Sequence, residues 1–136
     1  VTARDIRQAV ATALADAGVG TYRANGGYLA GDTAPIFFSR MPSDPDRCIV
    51  VTAYPLALPY TTGVQVRCRG SAGATTSAED LADAARAALH GREDIPGIEA
   101  MVLVGGGRIG FDAQDRDEVS WNFQAITSDP SVAVEF

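Results

Sequence analysis

The stretch Glu99-Ala-Met-Val-Leu-Val-Gly-Gly-Gly-Arg-Ile-Gly110, continued by Phe111-Asp-Ala-Gln-Asp-Arg-Asp-Glu118 and Val119-Ser-Trp-Asn-Phe-Gln-Ala-Ile-Thr127, decides how this chain is read. Gly105, Gly107 and Gly110 spell G-x-G-x-x-G behind an apolar strand, the form of a dinucleotide fingerprint. Such a site needs its glycines to open directly into a helix whose N-terminus takes the pyrophosphate. It also needs an acid about twenty residues further on, at the end of a second parallel strand. Here Gly110 is followed by a polar run without an apolar helical stripe. The next strand begins at Val119, too soon for a crossover that includes a helix. The stretch therefore reads as a β-hairpin: a strand over about Ile98–Val104, a flexible glycine-rich connection, and a second strand over about Glu118–Thr127. Asp112, Asp115, Arg116, Asp117 and Glu118 are expected at a solvated tip. Val119, Trp121, Phe123 and Ala125 share one face of the second strand, and Ser120, Asn122, Gln124 and Ile126 share the other. No cofactor is expected.

Working outward, helix spacing of Ile6, Val10, Ala13, Leu14 and Ala17 predicts an amphipathic helix over about Ala3–Ala17. Thr2 and Asp5 suit a capping box, and Gly18 suits the stop. Gly18–Ala34 is a glycine-rich connection in which Asn25-Gly26 signals a tight turn and a short irregular hairpin. Pro35–Arg40 and Arg47–Tyr54 read as strands. Gly63–Arg69 alternates, with Val64, Val66 and Cys68 on a dry face and Gln65, Arg67 and Arg69 on a wet or partner-facing one. The connection Pro55–Thr62 carries Leu56, Leu58 and Tyr60 where polar residues are usual. It either folds back on its own domain or touches a neighbouring subunit. A second helix is expected from about Thr76 to His90, with Leu81, Ala84, Ala85, Ala88 and Leu89 buried. Thr76 with Glu79 and Ser77 with Asp80 suit capping boxes, and His90 suits the negative end of the helix dipole. Beyond Asp129, the alternation of Val132, Val134 and Phe136 reads as a last edge strand or as an arm (129–136) that pairs with another chain's sheet edge. The order implies one α+β domain over 1–136: a mainly antiparallel sheet of about four to six strands with two helices packed on one face.

Composition narrows the function. The 136 residues carry a net charge of −6, and all 11 basic residues are Arg, with no basic run to grip phosphates. The first residues read as a charged amphipathic helix and not as a secretory leader, and no apolar run approaches a membrane span. Cys48 and Cys68 read as two small buried hydrophobes, with a cross-strand disulfide as the alternative if they face each other. The acids of Asp112–Glu118 do not follow calcium-loop spacing, and no metal site is expected. Catalytic signatures such as G-x-S-x-G, H-E-x-x-H or a P-loop do not occur, so catalysis is not expected.

The whole pattern resembles the tail-terminator proteins of long-tailed bacteriophages, also described as minor capsid or tail-completion proteins. The resemblance is carried by the opening helix and long loop, by Cys48-Ile-Val-Val-Thr-Ala-Tyr54 with Gly63-Val-Gln-Val-Arg-Cys-Arg-Gly70, by the helix ending Ala88-Leu89-His90-Gly91, and by Gly110-Phe-Asp with Arg116–Ala125. It implies a structural virion protein at the head–tail junction, assembled in the bacterial host cytoplasm. Its partners would be itself in a homohexameric ring, the tail-tube protein and the head connector, with viral DNA passing through the lumen and no membrane involved. No catalytic residues transfer. Leu56, Leu58, Tyr60, Arg67, Arg69, Asp115, Arg116, Val132, Val134 and Phe136 are expected at subunit contacts. The alternatives are another head–tail connector, a tail-tube component, or a small ligand-binding domain or enzyme.

Overall fold

Two helices and five strands form in the order α1 (Ala3–Asp16), β1 (Ile36–Phe38), β2 (Cys48–Pro55), β3 (Thr61–Arg69), α2 (Ser77–Leu89), β4 (Ala100–Phe111) and β5 (Asp117–Ile126). They come from a computed structural model whose described residues are 2–127. The strands make one sheet in the order β1-β2-β3-β5-β4, antiparallel throughout except for the parallel β1–β2 pair. The fold is α+β, as the grouping of strands into hairpins implies. The parallel pair requires the 39–47 connection to carry the chain back along β1 before β2 begins, and a separate parallel bridge pairs Thr21, in the 18–34 connection, with Pro35.

Both helices lie on one face. Ile6, Val10 and Leu14 of α1 and Ala78, Leu81, Ala82, Ala85 and Leu89 of α2 form a single core with Ile49, Val51, Val64, Val66, Cys68 and Phe123 of the sheet. The Thr2–Asp5 capping box forms in both directions. The α2 boxes do not. Thr76 makes no side-chain cap, and the Ser77 hydroxyl instead accepts from the Ser71 N–H at 3.1 Å. The α2 stripe is also rotated from the expected one: Ala84 is exposed, while Ala78 and Ala82 are buried. Trp121 sets that rotation. Its indole N–H donates to the Ala82 carbonyl at 3.0 Å, and Arg86 lies over the ring at 5.2 Å.

The glycine stretch corrects the hairpin reading. Gly105–Gly110 is not a flexible connection but the middle of β4, a 12-residue edge strand. The turn itself is confined to about 112–116. Extra residues at Val104 and Ile109 shift the β4–β5 register twice, as β-bulges do. The glycines then serve conformation and space. Gly106 (φ 142) lies opposite Trp121, and a Cβ there would come within 2.8 Å of Trp121 Cα and still closer to the Ser120 carbonyl. An alternating apolar pattern is the usual signature of a strand, and three successive glycines erase it.

The irregular 18–34 connection forms no hairpin at Asn25-Gly26, only a turn closed by Gly26 N–H donating to Arg23 O at 2.9 Å. It is pinned by ion pairing: Arg23 Nε and Nη2 each donate to an Asp32 oxygen at 2.8 Å. The Arg23 guanidinium, followed by the Leu29 N–H, holds the Asp32 carboxyl down at about 2. The two cysteines are free, which removes the disulfide alternative. Cys68 pairs with Ile49 on the helix side, whereas Cys48 pairs with Arg69 and so points to the opposite face. Burial pushes the Cys48 thiol up to about 11 and that of Cys68 up to about 12.

Gly106→Ala is expected to lower unfolding stability by about 3 kcal/mol, because a Cβ meets backbone at a left-handed φ. Gly105→Ala, where nothing stands within 4 Å of the new carbon, is expected to change it by less than about 0.5 kcal/mol. Denaturant midpoints of the two variants check this. The Arg23–Asp32 pair makes a second prediction. Its carboxyl is depressed in the folded state, so its stabilising contribution is full above the unfolded value of 3.8 and disappears as pH falls toward 2. Asp32→Asn should therefore flatten the stability–pH curve over that window and leave a smaller acid dependence.

Candidate assembly surface

The edge strand β4 is the least covered apolar element of the molecule. Val102, Val104, Ile109 and Phe111 are between 38% and 53% exposed. They account for most of the large hydrophobic side chains exposed among the described residues, with Leu29, Leu58 and Tyr60 making up the rest. Fully burying one such side chain is worth ~1.5–3 kcal/mol, so covering four half-exposed ones is worth on the order of 4 kcal/mol.

The backbone of this edge is closed at one end and open at the other. Next to the start of β4, Gly91 N–H donates to Met101 O at 2.9 Å and Met101 N–H donates to Arg92 O at 3.0 Å. The Leu103 N–H donates to His90 Nδ1 at 3.3 Å. The His90 ring is thus turned to the β4 edge, where it accepts from a backbone N–H. Beyond Leu103, among the described residues, no strand pairs with the outer side of β4. Monomeric proteins blunt long edges with Lys, Pro, short length or bulges. β4 has bulges alone, and the bulged residues are the apolar Val104 and Ile109. Its one charged residue, Arg108, is turned away from the task. It pairs with Asp117 and with Glu79 of α2, and stacks over Phe111 at 5.3 Å.

The sheet face away from the helices is polar. Thr52, Gln65 and Asn122 lie across it in register, Gln124 follows opposite Gly63, and all four remain half-buried. Tyr54 packs flat against Gly63, where no Cβ would fit. Toward one end of this face, however, the arginines expected to meet a neighbouring subunit are spent inside the chain. Arg67 pairs with Glu118 at 2.7 Å, a diagonal neighbour across β3 and β5. Arg69 is 2% exposed and donates to the carbonyls of Pro42, Asp46 and Pro45 at 2.7, 2.8 and 2.6 Å. Arg116 is buried as well, donating to Ser43 O at 2.6 Å and to Asp112 at 2.8 Å, with Asp46 at 3.2 Å. The turn expected to be solvated is therefore an ordered clamp on the 42–46 loop. A buried guanidinium is retained only where acceptors surround it, and this loop supplies them as backbone carbonyls that no sequence pattern announces. Burial raises the Asp112 carboxyl, but hydrogen bonds from the Arg116 backbone and side chain outweigh this and hold it below the usual carboxylate range.

The remaining expected contact residues divide clearly. Leu58 and Tyr60 are exposed and Leu56 is half-buried, so the 55–62 connection presents apolar surface and does not fold back on the core. Asp115 is exposed at the turn. Val132, Val134 and Phe136 lie outside the described residues. The exposed apolar residues that sequence reasoning did not single out are Val102, Val104, Ile109 and Phe111; Val104 directly precedes the glycine triplet, and Ile109 and Phe111 flank Gly110. A depression of about 440 Å³ along α2 is lined by Asp83, Arg86, Ala87 and His90. Another of about 320 Å³ lies between the 26–37 and 44–45 segments. Among the described residues no group of His, Cys, Asp and Glu is placed to hold a metal ion, and no helix is long and apolar enough to cross a membrane.

A family model described as bacteriophage tail terminator protein matches residues 13–129 of the 136. The match runs from the last turn of α1 to just past the end of β5. No curated protein matches the chain.

Arg69→Met should cost about 3 kcal/mol of unfolding stability, because it leaves several loop carbonyls buried without a donor. Chemical denaturation measures the loss, and a change below about 1 kcal/mol would mean that the 42–46 loop is not held by this side chain.

Proposed function

The chain belongs to the bacteriophage tail terminator family, and from that membership we propose that it forms a homohexameric ring on the head-proximal end of the tail tube. In this reading the ring ends tube polymerisation and joins the tube to the head connector at the head–tail junction. It is built in the host cytoplasm, and the genome passes through its lumen.

The observation that carries the reading is the β4 edge. A long apolar edge without Lys or Pro is an aggregation hazard in a free monomer and an asset in a closed ring. A ring needs a heterologous contact, in which one patch meets a different patch on the next copy. The exposed Leu58 and Tyr60 offer a second apolar patch on another part of the surface. Asp115 is left for contacts along the tail axis. The net charge of −6, without a basic run, suits a lumen that lets DNA slide, since phosphate-gripping surfaces are basic.

Three measurements test this. The purified chain should show six times the monomer mass in solution, and particles in the electron microscope should have a central hole wide enough for duplex DNA. A phage lacking the protein should make tails of uncontrolled length. Absence of tube altogether would assign the chain to the tube instead, and a compact monomer at all concentrations would contradict ring formation.

A further inference from the structure

We propose that the open edge of β4, from Gly105 to Phe111, takes as an added strand the 128–136 segment of a neighbouring copy. The inference rests on the ring reading and adds which two surfaces meet. Residues 128–136 read Ser-Asp-Pro-Ser-Val-Ala-Val-Glu-Phe. Val132, Val134 and Phe136 fall on one row of an extended chain, and Ala133 and Glu135 on the other. Pro130 stands just before the alternation, where a missing N–H costs no ladder bond.

The receiving edge has the complementary form. Between its two bulges, Gly105–Arg108 keeps unbroken register with β5, so its outer backbone groups are regularly spaced for a new ladder. Nothing stands within 4 Å of a Cβ at Gly105, Gly107 or Gly110, so an incoming backbone meets no side chain there. Val104 on one side of the unbroken Gly105–Arg108 register and Ile109 and Phe111 on the other are exposed and would cover the added strand's apolar row. Strand addition of this kind draws affinity from main-chain hydrogen bonds and selectivity from alternate side chains.

In the register that sets the first apolar residue of the arm, Val132, against Gly105, reach excludes the same chain. Thr127 follows Ile126, which is level with Ala100 at the start of β4. Reaching Gly105 on the far side of β4 takes roughly 17 Å along the strands and ~10 Å across them. The five steps from Thr127 to Val132 span at most about 17 Å fully extended, short of the ~20 Å direct distance. The direct route is also occupied, because Gly91, Arg92 and His90 cover the edge at Met101–Leu103. An arm from a neighbouring copy is not tied to Thr127 of the receiving chain, and arm-to-edge pairing from copy to copy is a heterologous contact, the kind that gives a ring when its rotation closes.

The test mixes two chains under mild oxidation. One lacks Ser131–Phe136 and carries Ile109→Cys; the other is full length with Val134→Cys. Cys48 and Cys68 are buried and do not compete. A disulfide-linked heterodimer well above that of an Asp83→Cys control is expected, together with loss of the ring mass in the chain that lacks 131–136. A ring that survives the deletion, or a cross-link no stronger than the control, overturns the inference and leaves the terminator reading standing. A cross-link between chains that show no ring mass upholds the pairing and counts against the hexamer.

Discussion

The fold turns on one contact, the Trp121 indole held between β4 and α2. Its N–H reaches the Ala82 carbonyl at 3.0 Å, Arg86 lies over its ring, and Gly106 lies opposite it across the ladder with no room for a side chain. Trp121 is thus at once the fastening of the helix layer and the reason β4 contains glycine at its centre. Buried tryptophans require a partner for the N–H. Here the partner is a helix carbonyl, so the contact orients α2 and exposes Ala84 where simple periodicity would bury it.

That contact divides the molecule's surfaces by purpose. The helix side of the sheet is consumed by the core. At one end of the other face, Arg67, Arg69 and Arg116 bind Glu118, the 42–46 carbonyls and Asp112, leaving an ordered polar surface with its charges matched. Among the described residues, what remains without a strand partner is the outer side of β4 past Leu103, where exposed apolar side chains and open backbone coincide. In the ring proposed for this member of the tail terminator family, that edge is where assembly would gain most. It has both hydrogen bonds and apolar burial to offer.

The elements with strong periodicity were legible from sequence: α1 with its Thr2–Asp5 cap, the β2–β3 pair, the two faces of β5, and hence the α+β class. The glycine stretch was legible only negatively, as not a nucleotide site. Its place inside a strand was hidden because glycines carry no alternation, and the demand for Gly106 comes from Trp121, fifteen positions on. The arginines misled for a related reason. An alternating Arg67/Arg69 pattern looks solvated until the fold brings Glu118 and the 42–46 carbonyls beside it. The place of His90 likewise looked like a matter of the helix end alone, and only the return of the chain as β4 brings the Leu103 N–H beside its ring.

Amide hydrogen exchange across Gly105–Phe111, compared between dilute monomer and assembled protein, tests the assembly surface most directly. Exchange at these amides is expected to slow at least about tenfold on assembly, the signature of new ladder hydrogen bonds. Equal exchange in both states, with protection confined to the 55–62 connection or the 112–116 turn, would contradict the assignment of the β4 edge as the surface on which the protein assembles.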